Sequence, residues 1–234
     1  MKNVNYWHDI DSSLAQLVKD GCVKLPSLEN FGLDEVANDI NAEMKGNTFS
    51  ELCLSHQTLL ENLGVNKYLT PKLFEIARDV FGYKGDISNQ YHVARCVEPG
   101  NEKEMYRAHF DSHLFTMVLP IKIPEPVSGG AVGDLIYFPN ARKAPTSELS
   151  NFLEKIYYKR FASKEGMQKF AKDHALYTDD FRDLSPLLFV GNTTLHTNQQ
   201  VSQYCSSYRL TLLAHFFDPS PKYGIGGFLR VLRS

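Results

Sequence analysis

The chain has 234 residues, 43% of them apolar and 12% aromatic, a composition that supports one sizeable hydrophobic core and excludes disorder as the main state. Its formal net charge of −2 at pH 7, from 25 basic and 27 acidic side chains, leaves no reservoir of positive charge for a phosphate backbone and argues against nucleic acid as a ligand. Cys22, Cys53, Cys96 and Cys205 form no CxxC pair, the acidic start does not read as a secretion signal, and no stretch reaches about 18 uninterrupted apolar residues, so the expectation is a cytoplasmic protein with reduced thiols and no membrane partner.

The first predicted element is a short helix capped by Asp11-Ser12-Ser13 and running through Lys19; Gly21 ends it, and Cys22-Val23-Lys24-Leu25 reads as a strand closed by Pro26. A second helix is predicted from Leu33 to Met44, with Val36, Ile40 and Met44 on one face. A third runs from Pro71 to Phe81, with Leu73, Ile76 and Val80 spaced by three and four. From Ile87 onward the texture changes to short runs rich in β-branched and aromatic residues: Tyr91 to Val97, Phe115 to Ile123, Leu135 to Phe138, Leu187 to Val190 and Tyr208 to Phe217.

One interruption breaks this sheet-forming half. Leu149, Leu153, Ile156 and Tyr157, then Met167, Phe170 and Ala171, recur at helical spacing, with Glu154, Lys155, Lys159, Arg160, Lys164 and Glu165 as a solvated charged side. This reads as a helical insertion at about residues 146–183, placed to form a lid or a contact surface. No internal repeat or linker divides the chain, so a single domain over 1–234 is expected. Helices first and then many short strands predict a mainly β fold with flanking helices, a sandwich or barrel.

The candidate chemistry begins in Tyr106-Arg107-Ala108-His109-Phe110-Asp111-Ser112-His113. On a strand, residues two apart share a face, so the imidazole of His109 and the carboxylate of Asp111 can converge on one metal ion. The best candidate for a third ligand is His196, which the apolar strand Leu187 to Val190 and a turn deliver to a polar stretch. Without a third ligand, His109 and Asp111 would read as an ordinary hydrogen-bonded pair. Thirteen residues further on, Arg209 enters an otherwise apolar strand. A permanently charged guanidinium there needs a fixed anion, either an acidic residue such as Asp180 or Asp218 or a ligand carboxylate. Thr211 shares its face and can add a hydroxyl.

The order His109-x-Asp111, distal His196, then Arg209-x-Thr211 resembles the iron(II)- and 2-oxoglutarate-dependent oxygenases, whose fold is a double-stranded β-helix, the jelly-roll, cupin-like architecture. The stretch Leu17 to Pro26 is similar to the helix, Asp-Gly turn and strand that open phytanoyl-CoA-hydroxylase-like members, and Gly129 to Pro139 to the glycine-led strand that follows the first two ligands. The chain departs from the pattern in the long insertion before His196 and in lacking a Pro-Gly-Ser-His segment after Pro139.

The resemblance implies iron(II) held by His109, Asp111 and His196, the arrangement of two histidines and a carboxylate that leaves positions open. It also implies 2-oxoglutarate as co-substrate, its distal carboxylate on Arg209 and Thr211, with Thr116 as a second anchor. The reaction implied is oxygen-dependent hydroxylation of a small organic molecule, and the filled Asp111 position speaks against a halogenase. On the strand before the ligands, Gln90 and His92 face one way and Tyr91 the other, so only one set lines the pocket. His113 reads as pocket lining. The alternatives are a cupin-like metal-binding protein without oxygenase turnover, or a protein side-chain hydroxylase.

Overall fold

In the computed structural model the described residues are 6–50, 54–102, 105–126, 130–145, 154 and 156–219. The opening helix, α1 (Ile10–Asp20), starts earlier than its capping signal suggests. Asp9 sits at the N-cap without a side-chain bond, and Asp11 lies in the first turn, where it pairs with Lys72 instead. Its end is as predicted: the amide of Gly21 donates to the carbonyl of Leu17 at 2.9 Å, in the left-handed conformation that glycine accepts readily. Ile10, Leu14 and Leu17 form the buried stripe.

Helix α2 (Leu33–Met44) buries Leu33, Ala37, Ile40 and Met44, and α4 (Thr70–Asp79) buries Leu73 and Ala77 and carries Pro71 in its first turn, where a missing amide proton costs nothing. Between them lie α3 (Leu54–Leu63) and a π-helical turn at Val65–Leu69, neither apparent from sequence periodicity. The buried face of α3 is His56, Leu59, Leu60 and Leu63, at helical spacing but opening on a histidine, and the chain continues from it through Gly64 into the π-helical turn that buries Val65 and Leu69. A further short helix, α5 (Lys164–Phe170), is capped by Ser163, whose hydroxyl accepts from the amide of Gly166. No described helix is long and apolar enough to cross a membrane.

The strands are β1 (Cys22–Lys24), β2 (Phe49–Ser50), β3 (Gln90–Val97), β4 (Phe115–Lys122), β5 (Leu135–Phe138), β6 (Tyr177–Asp179), β7 (Leu187–Val190), β8 (Leu195–Asn198) and β9 (Arg209–Phe216). They form an antiparallel six-stranded sheet in the order β1-β7-β4-β9-β3-β2 and an antiparallel three-stranded sheet in the order β6-β5-β8. The mainly β architecture with flanking helices is thus as expected, although the sheets do not close into a barrel.

The period of two along each strand sorts the side chains. Leu210, Leu212, Ala214 and Phe216 of β9, with Phe115, Met117, Leu119 and Ile121 of β4, join the core under the helices. Each such fully buried Leu or Phe contributes about 1.5–3 kcal/mol. The opposite face carries Arg209, Thr211, Leu213 and His215 of β9 and Thr116 and Val118 of β4, and its apolar members meet Leu135 and Tyr137 of the smaller sheet.

The predicted insertion is helical at 156–159 and in α5, then returns to the small sheet as β6, which pairs with β5. Tyr177-Thr178-Asp179 is too short and too mixed in polarity to announce a strand. Leu149, Leu153 and Lys155 of the predicted insertion, and Gly129, lie outside the described residues. Arg142 ties the insertion down: its guanidinium, 4% exposed, pairs with Glu154 at 2.8 Å, donates to the carbonyl of Asn192 at 2.8 Å and lies over the ring of Phe110 at 3.9 Å.

Candidate functional site

His109 and Asp111 do not lie on a regular strand. They occupy an extended segment with one bridge, in which His109 pairs with His196 of β8 and each residue's amide donates to the other's carbonyl at 3.1 Å. The period-two expectation still holds. Ala108 and Phe110 are buried in a cluster with Phe138 and Phe170, while His109 and Asp111 face the other way. The amide of Asp111 donates to the carbonyl of Gly191 at 3.1 Å, which fixes the backbone beneath the carboxylate.

The three sequence-predicted ligands come together. Their ligand atoms lie within 4.8 Å of one another, the only such group of three among the described residues. Nε2 of His109 is 3.6 Å from Oδ1 of Asp111, Nε2 of His196 is 3.8 Å from Oδ2, and the two imidazole centroids are 4.4 Å apart.

The other ring nitrogen of each histidine is already assigned: Nδ1 of His109 donates to the carbonyl of Arg107 at 2.7 Å, and Nδ1 of His196 donates to the carbonyl of Thr194 at 3.2 Å. Both Nε2 atoms therefore keep their lone pairs and face the carboxylate, the tautomer that metal ligation needs. Burial pushes His196 down to about 4, against the attraction of Asp111. Desolvation pulls His109 down too, but the adjacent Asp111 more than offsets it and its pKa is raised. Burial acts to raise Asp111, but the surrounding imidazoles, His196 foremost, hold it well below the usual carboxylate range. An ionised carboxylate between two Nε2 lone pairs suits a divalent cation.

Arg209 opens β9 at the end opposite His215, and Thr211 and Leu213 lie between them on the same face. The residue is 2% exposed, and its Nε and Nη2 are buried without a hydrogen-bond partner among the described residues. It makes no ion pair with Asp180, which faces Arg182 at 3.6 Å, and none with Asp218. Its described ring contact is with Phe181, 5.6 Å away. Burial and the neighbouring Arg95 lower its pKa to about 9, with Asp134 and Asp179 opposing. Arg95 stands across from Thr211 in the β3–β9 register. A buried guanidinium with two unused nitrogens requires an anion.

Thr116 sits at the triad end of the face, and its hydroxyl donates to Oδ2 of Asp111 at 2.5 Å. The open question of strand parity on β3 is resolved by the register: Tyr91 shares the site face, while Gln90 and His92 turn toward the helices, where His92 meets Phe216 edge-on. Tyr91 is stacked with His113 at 6.0 Å and with His215 at 5.7 Å. His215 was missed as a site residue, although its odd parity with Arg209 and Thr211 signals the face it lies on. Arg95 and Gly191 were missed because only cross-strand register and close packing reveal them.

No family model matches the sequence, and no curated protein does. Solved structures do match. A prolyl-4-hydroxylase from Pseudomonas putida is 14% identical with a TM-score of 0.52, covering 88% of this chain and 93% of its own. The non-haem α-ketoglutarate-dependent epimerase SnoN of nogalamycin biosynthesis is 12% identical with a TM-score of 0.55, covering 90% and 83%, and has also been seen in complex with Fe3+ and α-ketoglutarate. A prolyl hydroxylase from Trichoplax adhaerens, in complex with a peptide fragment, is 12% identical with a TM-score of 0.50, covering 92% and 91%. At these identities the likeness establishes the fold, the double-stranded β-helix.

Proposed function

We propose that this protein is an iron(II)- and 2-oxoglutarate-dependent dioxygenase. The carrying observation is the presence, in one chain, of the His109–Asp111–His196 triad and a buried Arg209 guanidinium whose Nε and Nη2 lack hydrogen-bond partners among the described residues. A cupin-like protein without oxygenase turnover has use for the triad but none for Arg209. The likeness in fold to the prolyl hydroxylases and SnoN supports the same reading.

His109, Asp111 and His196 hold the metal, each histidine kept in the right tautomer by its Nδ1 bond to a backbone carbonyl. Arg209 holds the distal carboxylate of 2-oxoglutarate by charge-assisted hydrogen bonds, and the hydroxyl of Thr211 adds a further one. Bound iron(II), with 2-oxoglutarate and oxygen, supplies the oxidising power to hydroxylate a C–H bond. Leu213, Val118 and Phe189 keep the interior beside the triad apolar, which limits water there.

The substrate we infer is a small organic molecule. The strut from Glu154 through Arg142 to Phe110 ties the insertion to the segment that carries His109 and Asp111, and an insertion anchored there supports the small-molecule reading. The opening helix, Asp-Gly turn and strand favour a phytanoyl-CoA-hydroxylase-like member. The competing target is a protein side chain.

The test is incubation of anaerobically purified protein with iron(II), 2-oxoglutarate and oxygen. Succinate formation and a 2-oxoglutarate-dependent absorption band are expected, and the absence of both would sink the proposal. With turnover established, screening metabolites against proline-containing peptides separates the two substrate classes.

A further inference from the structure

Asp111 is held by two groups that the metal site itself does not require. Its Oδ2 accepts a hydrogen bond from Oγ1 of Thr116 at 2.5 Å, and Oγ1 of Thr116 lies 3.0 Å from Nδ1 of His215. A threonine hydroxyl has one proton. The shorter, charge-assisted contact takes it, since O–H to carboxylate bonds run at about 2.5–2.7 Å. Toward His215, then, Thr116 offers only a lone pair, and Nδ1 of His215 must carry the proton. The chain runs one way, from Nδ1–H of His215 to Oγ1–H of Thr116 to Oδ2 of Asp111.

Every link is fixed by the sheet. Thr116 and His215 are direct cross-strand neighbours in the β4–β9 register, and Tyr91 is the neighbour of His215 on the other side. Thr116 is 1% and His215 8% exposed, and the His215 ring packs against Tyr91 at 5.7 Å and His113 at 5.1 Å, which also meet each other at 6.0 Å. Gly191 closes the remaining side. A Cβ there would stand 2.9 Å from Oγ1 of Thr116 and 3.1 Å from Cβ of Asp111.

An aspartate that is free to rotate can offer a cation one oxygen or both. With Oδ2 engaged by Thr116, the carboxylate is held with Oδ1 3.6 Å from Nε2 of His109 and Oδ2 3.8 Å from Nε2 of His196. We propose that Thr116 and His215 are positioning residues that fix the rotation of the Asp111 carboxylate between His109 and His196. The inference rests on the metal reading given above and concerns how that site is held.

The experiment is a Co(II) titration of the full chain, followed by its visible absorption, for the parent protein, Thr116→Val, Thr116→Ser, His215→Phe and His215→Asn. Serine keeps the hydroxyl, and the asparagine amide nitrogen stands in for Nδ1. Losing a supporting partner of a ligand typically costs about 10–100-fold in metal affinity, so the valine and phenylalanine variants are expected to fall in that range with shifted bands, while the serine and asparagine variants stay within about threefold of the parent.

Unchanged affinity and spectrum in Thr116→Val and His215→Phe overturn the inference. So does an equal loss in the serine and asparagine variants, which makes both positions matters of packing. Failure of the parent protein to bind Co(II) overturns the metal reading and the inference with it, and that result is read from the parent alone.

Discussion

Gly133 lies directly against Arg209: a Cβ at Gly133 would stand 2.9 Å from Cδ of Arg209 and 2.8 Å from Cγ2 of Val201. The glycine also sits at a φ of +85°, in the left-handed region. Gly133→Ala therefore presses on the stem of the guanidinium and strains the backbone, the second effect alone costing about 1–2 kcal/mol. We expect 2-oxoglutarate affinity to fall by about tenfold, equivalent to a further 1.4 kcal/mol, while Co(II) affinity is unchanged. Calorimetric titration of both ligands checks this, and parallel loss of the two would point to general unfolding.

Arg209 itself separates stability from binding. Its Nε and Nη2 are buried without partners, so in the ligand-free protein the charge opposes folding. Arg209→Met keeps the bulk and removes the charge. The ligand-free variant is expected to be as stable as the parent or more so, with a melting temperature higher by about 2–4 °C for each kcal/mol gained. It should lose the absorption change that 2-oxoglutarate induces in the metal-loaded parent. A melting temperature lowered by several degrees would show that Arg209 is a structural residue with a protein partner.

Much of this arrangement was legible in the chain because period-two spacing survives even where a regular strand does not. His109 and Asp111 share a side although only one bridge anchors their segment, and Arg209 and Thr211 share the interior face of β9. The same parity, carried four and six residues along β9, reaches Leu213 and His215, so the signal for His215 was present. Its meaning was not, because that depends on which strand lies alongside. Only the β4–β9 register puts Thr116 next to His215, and the bond from Thr116 to Asp111 is a contact that the sequence does not announce. Asp180 and Asp218 could be dismissed as partners of Arg209 only once the fold had placed them. α3 was hidden by the buried histidine in its apolar face and β6 by brevity and mixed polarity, since local pattern carries little weight when tertiary packing supplies the stabilisation.

The triad predicts how metal couples to stability. Because His109 and His196 are joined through backbone hydrogen bonds, shortening either side chain leaves the bridge intact. His109→Ala and His196→Ala are expected to fold in the absence of metal. The parent should gain about 2.7 kcal/mol at a Co(II) concentration 100 times its dissociation constant, and the variants nothing at that concentration. Thermal melts with and without Co(II) test this, and a metal-induced shift retained in either variant would remove that histidine from the ligand set.

Acid should weaken the fold through His92, which lies on the opposite face of β3 from Tyr91. Its Nδ1 is buried without a hydrogen-bond partner, and its ring meets Phe216 edge-on at 5.9 Å. Burial, reinforced by His56 and His215, lowers its pKa to about 4. The folded pKa lies below the unfolded value of about 6.5, so between those limits the unfolded chain binds a proton that the folded chain refuses. The contribution is fully favourable above pH 6.5 and erodes as the pH falls toward 4, at up to about 1.4 kcal/mol per pH unit for one such group. His196 and His215, whose values are also lowered, act in the same sense, which makes the difference between parent and variant the informative quantity. His92→Phe replaces an unpartnered nitrogen by carbon, so near pH 7.5 its melting temperature should lie close to that of the parent. The gap in favour of the variant should open progressively below pH 6.5. Melting curves recorded every half unit from pH 7.5 to 4 decide the matter, and parallel curves for the two proteins would mean that His92 titrates normally in the folded state.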